Sequence, residues 1–287
     1  MIQYLQFASI NNLYVIIETC KMTIRAWIDK IEMIGRITFS IGDVLKAFPS
    51  LGRQVVQNNL MRLKREKRIV SVYRSFYVIM PVRYKSRGVV PPTYYVPELM
   101  RYLNRPYYFS LLSAAKVWGA SHQAAHMDFV TTLYPDLNSS RSMSAGIHWC
   151  YRYHMPSGFL VERKESDGRV LYSSPELTAV ELVQCCRHCG GLSNVATVLA
   201  ELVDVLDFEK LPKEFFEYCE GVSIQRLGYI LEEVLEAKSA ADALYAKWRE
   251  NFGVANARLS VWSKDAAFAH CRRWHIDVNE KLEVDEI

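Results

Sequence analysis

The sequence lacks any apolar run of the roughly 20 residues that a membrane-spanning helix needs. It has no recognisable secretory leader, since residues 1–21 are fairly apolar but have neither a basic first segment nor a convincing cleavage site. Low-complexity stretches and internal repeats are also absent. We therefore expect a folded, cytoplasmic protein with no membrane partner. Met22 is the expected working start of the chain, with residues 1–21 as an upstream extension.

Motifs of several enzyme classes are missing as well. The sequence has no glycine-rich phosphate loop, no nucleophile elbow around Ser157-Gly158-Phe159, and no nucleotidyltransferase-like Gly-Ser motif followed by paired aspartates. His122 and His126 lie four residues apart, but the glutamate of the HExxH zinc motif is not there. We expect a protein that is not an enzyme and that needs no cofactor.

The seven cysteines do not form a convincing metal motif. Cys185, Cys186, His188 and Cys189 cluster within five positions, but a structural zinc site usually pairs two such knuckles and no second one lies nearby. A reduced set of mostly buried thiols, as in a cytosolic protein, is the better interpretation. The sequence therefore predicts no metal site.

Charge is unevenly distributed along the 287 residues. The net charge of +4 divides into +10 for residues 1–90, which hold 15 Lys and Arg against 5 Asp and Glu, and −6 for residues 91–287, with 20 against 26. A hydrophobic fraction of 50% is ample for packed cores, and the length favours two domains. Nucleic-acid affinity therefore belongs to the front of the chain, and the rear is suited to a protein or a small ligand.

Residues 37–81 have the element order of a winged helix-turn-helix. Ser40 is the expected N-cap of a first helix, with Asp43 three residues on. A turn at residues 49–52, in which Ser50 is the expected cap, leads to a second helix, and two strands follow around Tyr73-Arg74-Ser75. Residues 22–36 supply a preceding amphipathic helix. The apolar positions that predict the two helices are Ile41, Val44, Leu45 and Phe48, then Val56, Leu60 and Leu63.

The other face of the second helix is suited to DNA. Glutamine and asparagine bind an adenine edge and arginine binds a guanine edge, whereas clustered cations release the counterions of phosphates. We expect base edges to be read by Arg53, Gln54, Gln57 and Asn58. We expect phosphates to be bound by Arg62, Lys64, Arg65, Lys67, Arg68 and Arg74.

Gly88 and Pro91-Pro92 break regular structure, which predicts a linker at residues 82–93. It would join a DNA-binding domain at residues 22–81 to a larger mixed α/β domain at residues 94–287, so the fold class is α+β. Strands are predicted at residues 128–133, 146–154, 159–164, 169–173 and 274–278. Helices are predicted at residues 96–103, 109–118, 174–183, 195–206, 224–234 and 240–251.

Several short motifs in the second half resemble one family. They are YYFSLLSAA at residues 107–115 running to WGASHQ at 118–123, SPELTA at 174–179, GGLSNVA at 190–196 and QRLGY at 225–229. In this order they resemble the AbiEi-type antitoxins of type IV toxin–antitoxin systems, which act in abortive phage infection. The winged helix is similar to that family's N-terminal domain. One departure is Ser75, where the family usually has glycine, so the wing turn is expected to differ.

The resemblance implies a bacterial repressor that binds inverted repeats in its own promoter, and a C-terminal domain that counteracts a nucleotidyltransferase toxin. Toxin neutralisation in such systems need not involve direct binding. We expect a monomer in solution that pairs on DNA. Exposed polar residues of the strand region and the helices that carry Arg226 and Lys247 are the expected effector surface. Residues 22–88 would then bind the operator alone, and residues 93–287 would protect without repressing.

Two other functions fit the same sequence. In the first, the C-terminal domain of a winged-helix regulator senses a small molecule in an aromatic pocket. That pocket would be lined by Tyr94, Tyr95, Tyr102, Tyr107, Tyr108 and Phe109. In the second, the acidic domain only dimerises. A nucleotidyltransferase gene immediately downstream would favour the antitoxin, and a neighbouring metabolic operon would favour the sensor.

Overall fold

In the computed structural model the described residues are 22–86, 88–120, 127–137, 146–165 and 168–284. Over these residues the fold is α+β, as predicted. The chain divides into two compact units. The first comprises the described residues up to Leu103, and the second comprises the described residues from Asn104 onwards. The predicted N-terminal extension, the pair His122 and His126, and the hairpin tip at residues 166–167 lie outside the described residues.

The first unit combines helices with a small antiparallel sheet. Its helices are α1 (Ile24–Met33), α2 (Ile41–Ala47), α3 (Arg53–Arg65) and α4 (Val96–Leu103). Its strands are β1 (Thr38–Ser40), β2 (Ile69–Tyr73) and β3 (Phe76–Ile79), and 3-10 turns lie at Val82–Tyr84 and Pro92–Tyr94. Strand β3 lies between β1 and β2. Apolar residues of α1, α2, α3 and the strands form one core.

Local hydrogen bonds explain where α2 begins. The Ser40 hydroxyl accepts from the Asp43 N–H at 3.1 Å, and the Asp43 carboxylate accepts from the Ser40 N–H at 2.8 Å, so the predicted capping box is confirmed. Although burial acts to raise it, hydrogen bonds from Ser40 and the charge of Arg36 hold the pKa of Asp43 below its usual value. The next helix, α3, begins after Gly52 without a side-chain cap, so the capping role predicted for Ser50 is wrong. Ser50 lies in the preceding turn, two residues before the N-cap position, which Gly52 occupies.

The turn between β2 and β3 uses a left-handed residue. Ser75 has a φ of +62°, a conformation that glycine adopts more readily than any residue with a side chain. Its carbonyl accepts a hydrogen bond from the Ile41 N–H at 2.9 Å, which ties the turn to the start of α2. The positive φ explains why glycine would be favoured at position 75. In this chain the same turn forms with serine.

Residues 82–103 pack with the first unit, which differs from the linker predicted at residues 82–93. Tyr95 is only 2% exposed. On α4, the ring of Tyr102 lies 5.1 Å from the ring of Phe76 in β3. Because these aromatic side chains bury surface against the sheet, the division between the units falls at the end of α4.

The second unit contains most of the helices and two further sheets. The helices are α5 (Leu111–Val117), α6 (Pro175–Gln184), α7 (Leu192–Leu202), α8 (Lys213–Phe216), α9 (Gly221–Tyr229) and α10 (Lys238–Asn251), with a π-helical turn at Ile230–Val234. The strands of the larger sheet are β4 (Tyr107–Phe109), β5 (Asp128–Leu133), β6 (Ile147–Arg152), β7 (Leu160–Glu165) and β8 (Gly168–Ser173). The smaller sheet contains β9 (Ala257–Arg258), β10 (Ala269–Cys271) and β11 (Ile276–Val278).

The larger sheet has the strand order β6-β5-β4-β8-β7. Pairs β4/β5 and β7/β8 are antiparallel, whereas β5/β6 and β4/β8 are parallel. Helix α6 begins as predicted, with the Ser174 hydroxyl accepting from the Leu177 N–H at 3.3 Å. Phe109 ends strand β4 and does not begin the helix predicted at residues 109–118, because β4 pairs on both sides within the sheet. No helix in the described part of the chain is long and apolar enough to cross a membrane.

Candidate functional site

Helix α3 presents the predicted base-reading residues on the side away from the core. Its buried residues are Val56, Leu60 and Leu63. Arg53, Gln54 and Asn58 are exposed, and Gln57 is half-buried. The Gln54 amide donates to the Asn58 carbonyl oxygen at 3.1 Å, which aligns the two side chains along the helix. The pair keeps an amide acceptor and amide donors, the combination that an adenine edge requires.

Two exposed apolar side chains lie on the same helix. Val55 is 47% exposed and Met61 is 52% exposed. Apolar groups on a recognition surface suit the thymine methyl in the major groove. Sequence reasoning placed Met61 on this face but missed Val55. The signal was there, because Val55 lies three and seven positions before Asn58 and Arg62 and so shares their face of the helix.

Positive charge on this surface is not opposed by free carboxylates. Arg62, Lys64, Arg65, Lys67 and Arg74 are all exposed. Of these, Arg62 lies 3.9 Å from Glu66, and Lys64, Lys67 and Arg74 form no ion pair with any described residue. Each carboxylate of residues 22–103 is paired with arginine. The pairs are Asp29 and Glu32 with Arg68, Asp43 with Arg36, Glu66 with Arg25 and Arg62, and Glu98 with Arg101.

Arg68 has a different role from the one predicted for it. Its guanidinium lies 2.6 Å from the Asp29 carboxylate and also hydrogen-bonds Glu32, and its side chain is 14% exposed. Although burial acts to lower it, hydrogen bonds to these carboxylates raise the pKa of Arg68. The side chain therefore ties α1 to the start of β2. This placement corrects the phosphate-binding role predicted for Arg68.

Replacing Arg68 with alanine is expected to cost stability and to spare DNA binding. The change leaves Asp29 and Glu32 without their partner, so we expect a loss of about 1–3 kcal/mol in the free energy of unfolding. Urea denaturation of Arg68→Ala and Lys64→Ala provides the comparison. Lys64 is exposed and forms no ion pair with the described part of the chain, so its removal should change stability by less than about 0.5 kcal/mol. Equal stability of Arg68→Ala and the parent chain would show that the ion pairs contribute nothing.

The predicted effector residues have different environments. Arg226 on α9 is half-buried, and its Nε donates to the Arg258 carbonyl at 3.0 Å. Burial lowers the pKa of Arg226. Lys247 on α10 is partly exposed. Arg226 thus holds α9 to β9, and the effector surface stays a prediction.

The cysteine cluster contains one buried residue, Cys189, and two partly buried ones, Cys185 and Cys186. Cys189 is 1% exposed. Burial raises the pKa of Cys185 to about 11 and raises that of Cys189 further, so both stay protonated at neutral pH. Among the described residues, no group of three or more His, Cys, Asp or Glu side chains is placed to hold a metal ion.

The aromatic block proposed as a ligand pocket is divided between the two compact units. Tyr94, Tyr95 and Tyr102 belong to the first compact unit, and Tyr107, Tyr108 and Phe109 form strand β4 of the second. Tyr95, Tyr108 and Phe109 are at most 2% exposed, so they contribute to packing within their own units. These three side chains are therefore not available to line the ligand pocket that the sequence predicted.

Comparisons with known proteins agree with the resemblance. Residues 108–233 match the family model of the AbiEi antitoxin C-terminal domain. Among solved structures, the chain is similar to the crystal structure of the RV2827C protein from Mycobacterium tuberculosis, with a TM-score of 0.64 and 12% sequence identity over 88% of this chain and 89% of that chain. At this identity the similarity concerns the fold alone. No curated protein matches the chain.

Proposed function

Because residues 108–233 match the family model of the AbiEi antitoxin C-terminal domain, we propose that this chain is the antitoxin and autorepressor of a type IV toxin–antitoxin operon. Its first unit binds inverted repeats in its own promoter, and its second unit counteracts a nucleotidyltransferase toxin. The family match carries the antitoxin half of the proposal. The exposed polar face of α3 carries the DNA-binding half.

The element order of the first unit supports a winged helix-turn-helix. Helices α1, α2 and α3 are followed by the hairpin β2–β3, and β1 completes the small sheet. In this arrangement α3 is the recognition helix and the turn at Arg74 and Ser75 is the tip of the wing. Exposed cations at the end of α3 and on the wing then lie where phosphates pass on either side of the groove.

Base-reading and phosphate-binding residues are expected to behave differently when removed. Gln57→Ala or Asn58→Ala should weaken binding to the operator by about 1–3 kcal/mol and change binding to random DNA little. Lys64→Ala or Arg74→Ala should weaken binding to both DNAs and lower the slope of log affinity against log salt by about one. Gel shifts on the two DNAs over a salt series measure all four effects.

The two groups of variants act as controls for each other. If Gln57→Ala lowered the affinity for operator and random DNA equally, the assignment of α3 as the base-reading helix would be wrong. An unchanged salt slope for both Lys64→Ala and Arg74→Ala would show that the phosphate path lies elsewhere. Arg68→Ala, whose side chain pairs with α1, should leave both affinities near those of the parent chain at temperatures where it is folded.

The antitoxin half is tested with the gene pair. The candidate toxin, the nucleotidyltransferase that the proposed operon would encode, is expressed from an inducible promoter, with and without the chain. Rescue of growth by the chain is the expected result, because the AbiEi domain is its largest assigned segment. Growth arrest that persists despite folded, expressed chain would contradict the proposed function.

A further inference from the structure

An exposed valine lies in the first turn of α3. Val55 is the third residue of this helix and is 47% exposed, whereas the adjacent Val56 is fully buried. A recognition helix contacts base edges chiefly through its N-terminal residues. Because a β-branched side chain in a helix has one strongly preferred rotamer, Val55 holds its methyl groups in a fixed direction. It therefore presents a rigid apolar group where the helix would read bases.

The polar neighbours of Val55 divide into two kinds. Asn58 lies three positions further on, on the same side of the helix, and its carbonyl oxygen accepts from the Gln54 amide at 3.1 Å. The amide of Asn59 donates to the Val55 carbonyl at 2.9 Å, which holds it against the helix backbone. The side chain of Val55 thus stays uncovered beside a pair of amides that can still bind an adenine edge.

An A·T base pair carries the complementary groups. On its major-groove edge, adenine presents the N7 acceptor and the N6 donor, and thymine presents the O4 acceptor and the C5 methyl group. The methyl group is the apolar feature of this edge. An apolar side chain next to two amides therefore matches A·T pairs better than G·C pairs, which lack the methyl group.

The second exposed apolar side chain of α3 has a different environment. Met61 is 52% exposed, but its sulfur accepts from the Arg65 guanidinium at 3.8 Å. It lies in the half of the helix that carries Arg62 and Lys64, where phosphates are expected to bind. Met61 therefore belongs with the cationic end of α3 and provides a control for Val55.

We propose that Val55 contacts the C5 methyl group of a thymine in the operator, which makes it a specificity-determining residue. The Gln54–Asn58 pair reads adenine beside it. The exposed cations Arg62, Lys64, Arg65, Lys67 and Arg74 favour duplex DNA as the occupant of this surface. The inference rests on the proposed DNA-binding function and adds the base and the chemical group that are recognised.

Replacing thymine with deoxyuridine tests this contact, because it removes the methyl group and keeps the base pairing. The operator is the tightest-binding duplex that the full chain selects from a pool of random duplexes, and its thymines are replaced one at a time. We expect at least one replacement to weaken binding about three- to tenfold, the effect of losing one buried methyl group. The slope of log affinity against log salt should stay the same, since no phosphate contact is lost.

Three variants of α3 assign the effect to a side chain. Val55→Ser should bind the thymine and deoxyuridine duplexes with equal affinity. Val55→Thr keeps one methyl group and the branched shape, so it should retain part of the preference for thymine. Met61→Ser is the control and should retain all of it. Circular dichroism establishes that each variant is folded.

The possible failures are distinguishable. If the chain binds its selected operator tightly but no deoxyuridine replacement weakens binding, the methyl contact is wrong and the DNA-binding function stands. An undiminished preference for thymine in folded Val55→Ser would assign the contact to another residue and would also overturn the inference. If the selection yields no preferred sequence, the proposed DNA-binding function fails, and the inference fails with it.

Discussion

Gly228→Ala is expected to destabilise the second unit by about 2–3 kcal/mol, although alanine normally stabilises a helix by about 1 kcal/mol relative to glycine. A Cβ atom at Gly228 would lie 2.1 Å from Cη2 of Trp274, far inside van der Waals contact. The indole cannot move aside easily. Its Nε1 donates to Glu232 at 2.6 Å, and its ring packs against Tyr245 and Trp248 in the core.

Thermal unfolding followed by circular dichroism measures this effect, and we expect a melting temperature roughly 4–12 °C lower. Gly42→Ala in α2 is the matched control, because the nearest atom to its added Cβ is the Ser40 hydroxyl at 3.4 Å, an ordinary contact. That variant should be as stable as the parent chain or more so. Unaltered melting of Gly228→Ala would mean that the indole does not pack on α9 as described.

A double-mutant cycle isolates the contact itself. Trp274→Leu removes the ring atoms that the added methyl group would meet and leaves an apolar side chain in the core. In that background Gly228→Ala should cost little, so the two substitutions should show a favourable coupling free energy of more than about 1 kcal/mol. Additive losses would assign the effect of Gly228→Ala to the backbone alone.

Residues 22–103 are expected to bind the operator without protecting cells from the toxin, and residues 104–287 are expected to protect without repressing. The first unit has its own core of buried residues from three helices and the small sheet. The second has a separate core and lies in the part of the chain with a net charge of −6, which phosphate repels. Survival of toxin-expressing cells and a promoter reporter measure the two activities of each fragment.

The position of the cut provides an internal control. The sequence alone favours a fragment that ends at residue 88, which removes α4 with Tyr95 and Tyr102. Because these side chains pack within the first unit, residues 22–88 should be less stable than residues 22–103 in urea. If the folded rear fragment never protects while the full chain does, antitoxicity requires the DNA-binding half and the proposed division of labour is wrong.

The sequence by itself determined the features that depend on residues three or four apart. The capping box at Ser40 and Asp43, the N-cap at Ser174 and the buried face of α3 all result from local hydrogen bonds and the helical period. Short motifs in a fixed order also indicated the family whose model matches residues 108–233.

Only the tertiary structure decided which distant residues meet. Arg68 is 39 residues from Asp29 in the chain, and Glu181 is 73 from Tyr108, so neither pairing has a signature in local sequence. The same holds for α4, which joins the first unit through aromatic contacts, and for β4, which becomes a strand because partners lie on both of its sides. Buried charges and sheet pairing respond to the whole surrounding core, and periodicity along the chain carries no information about that core.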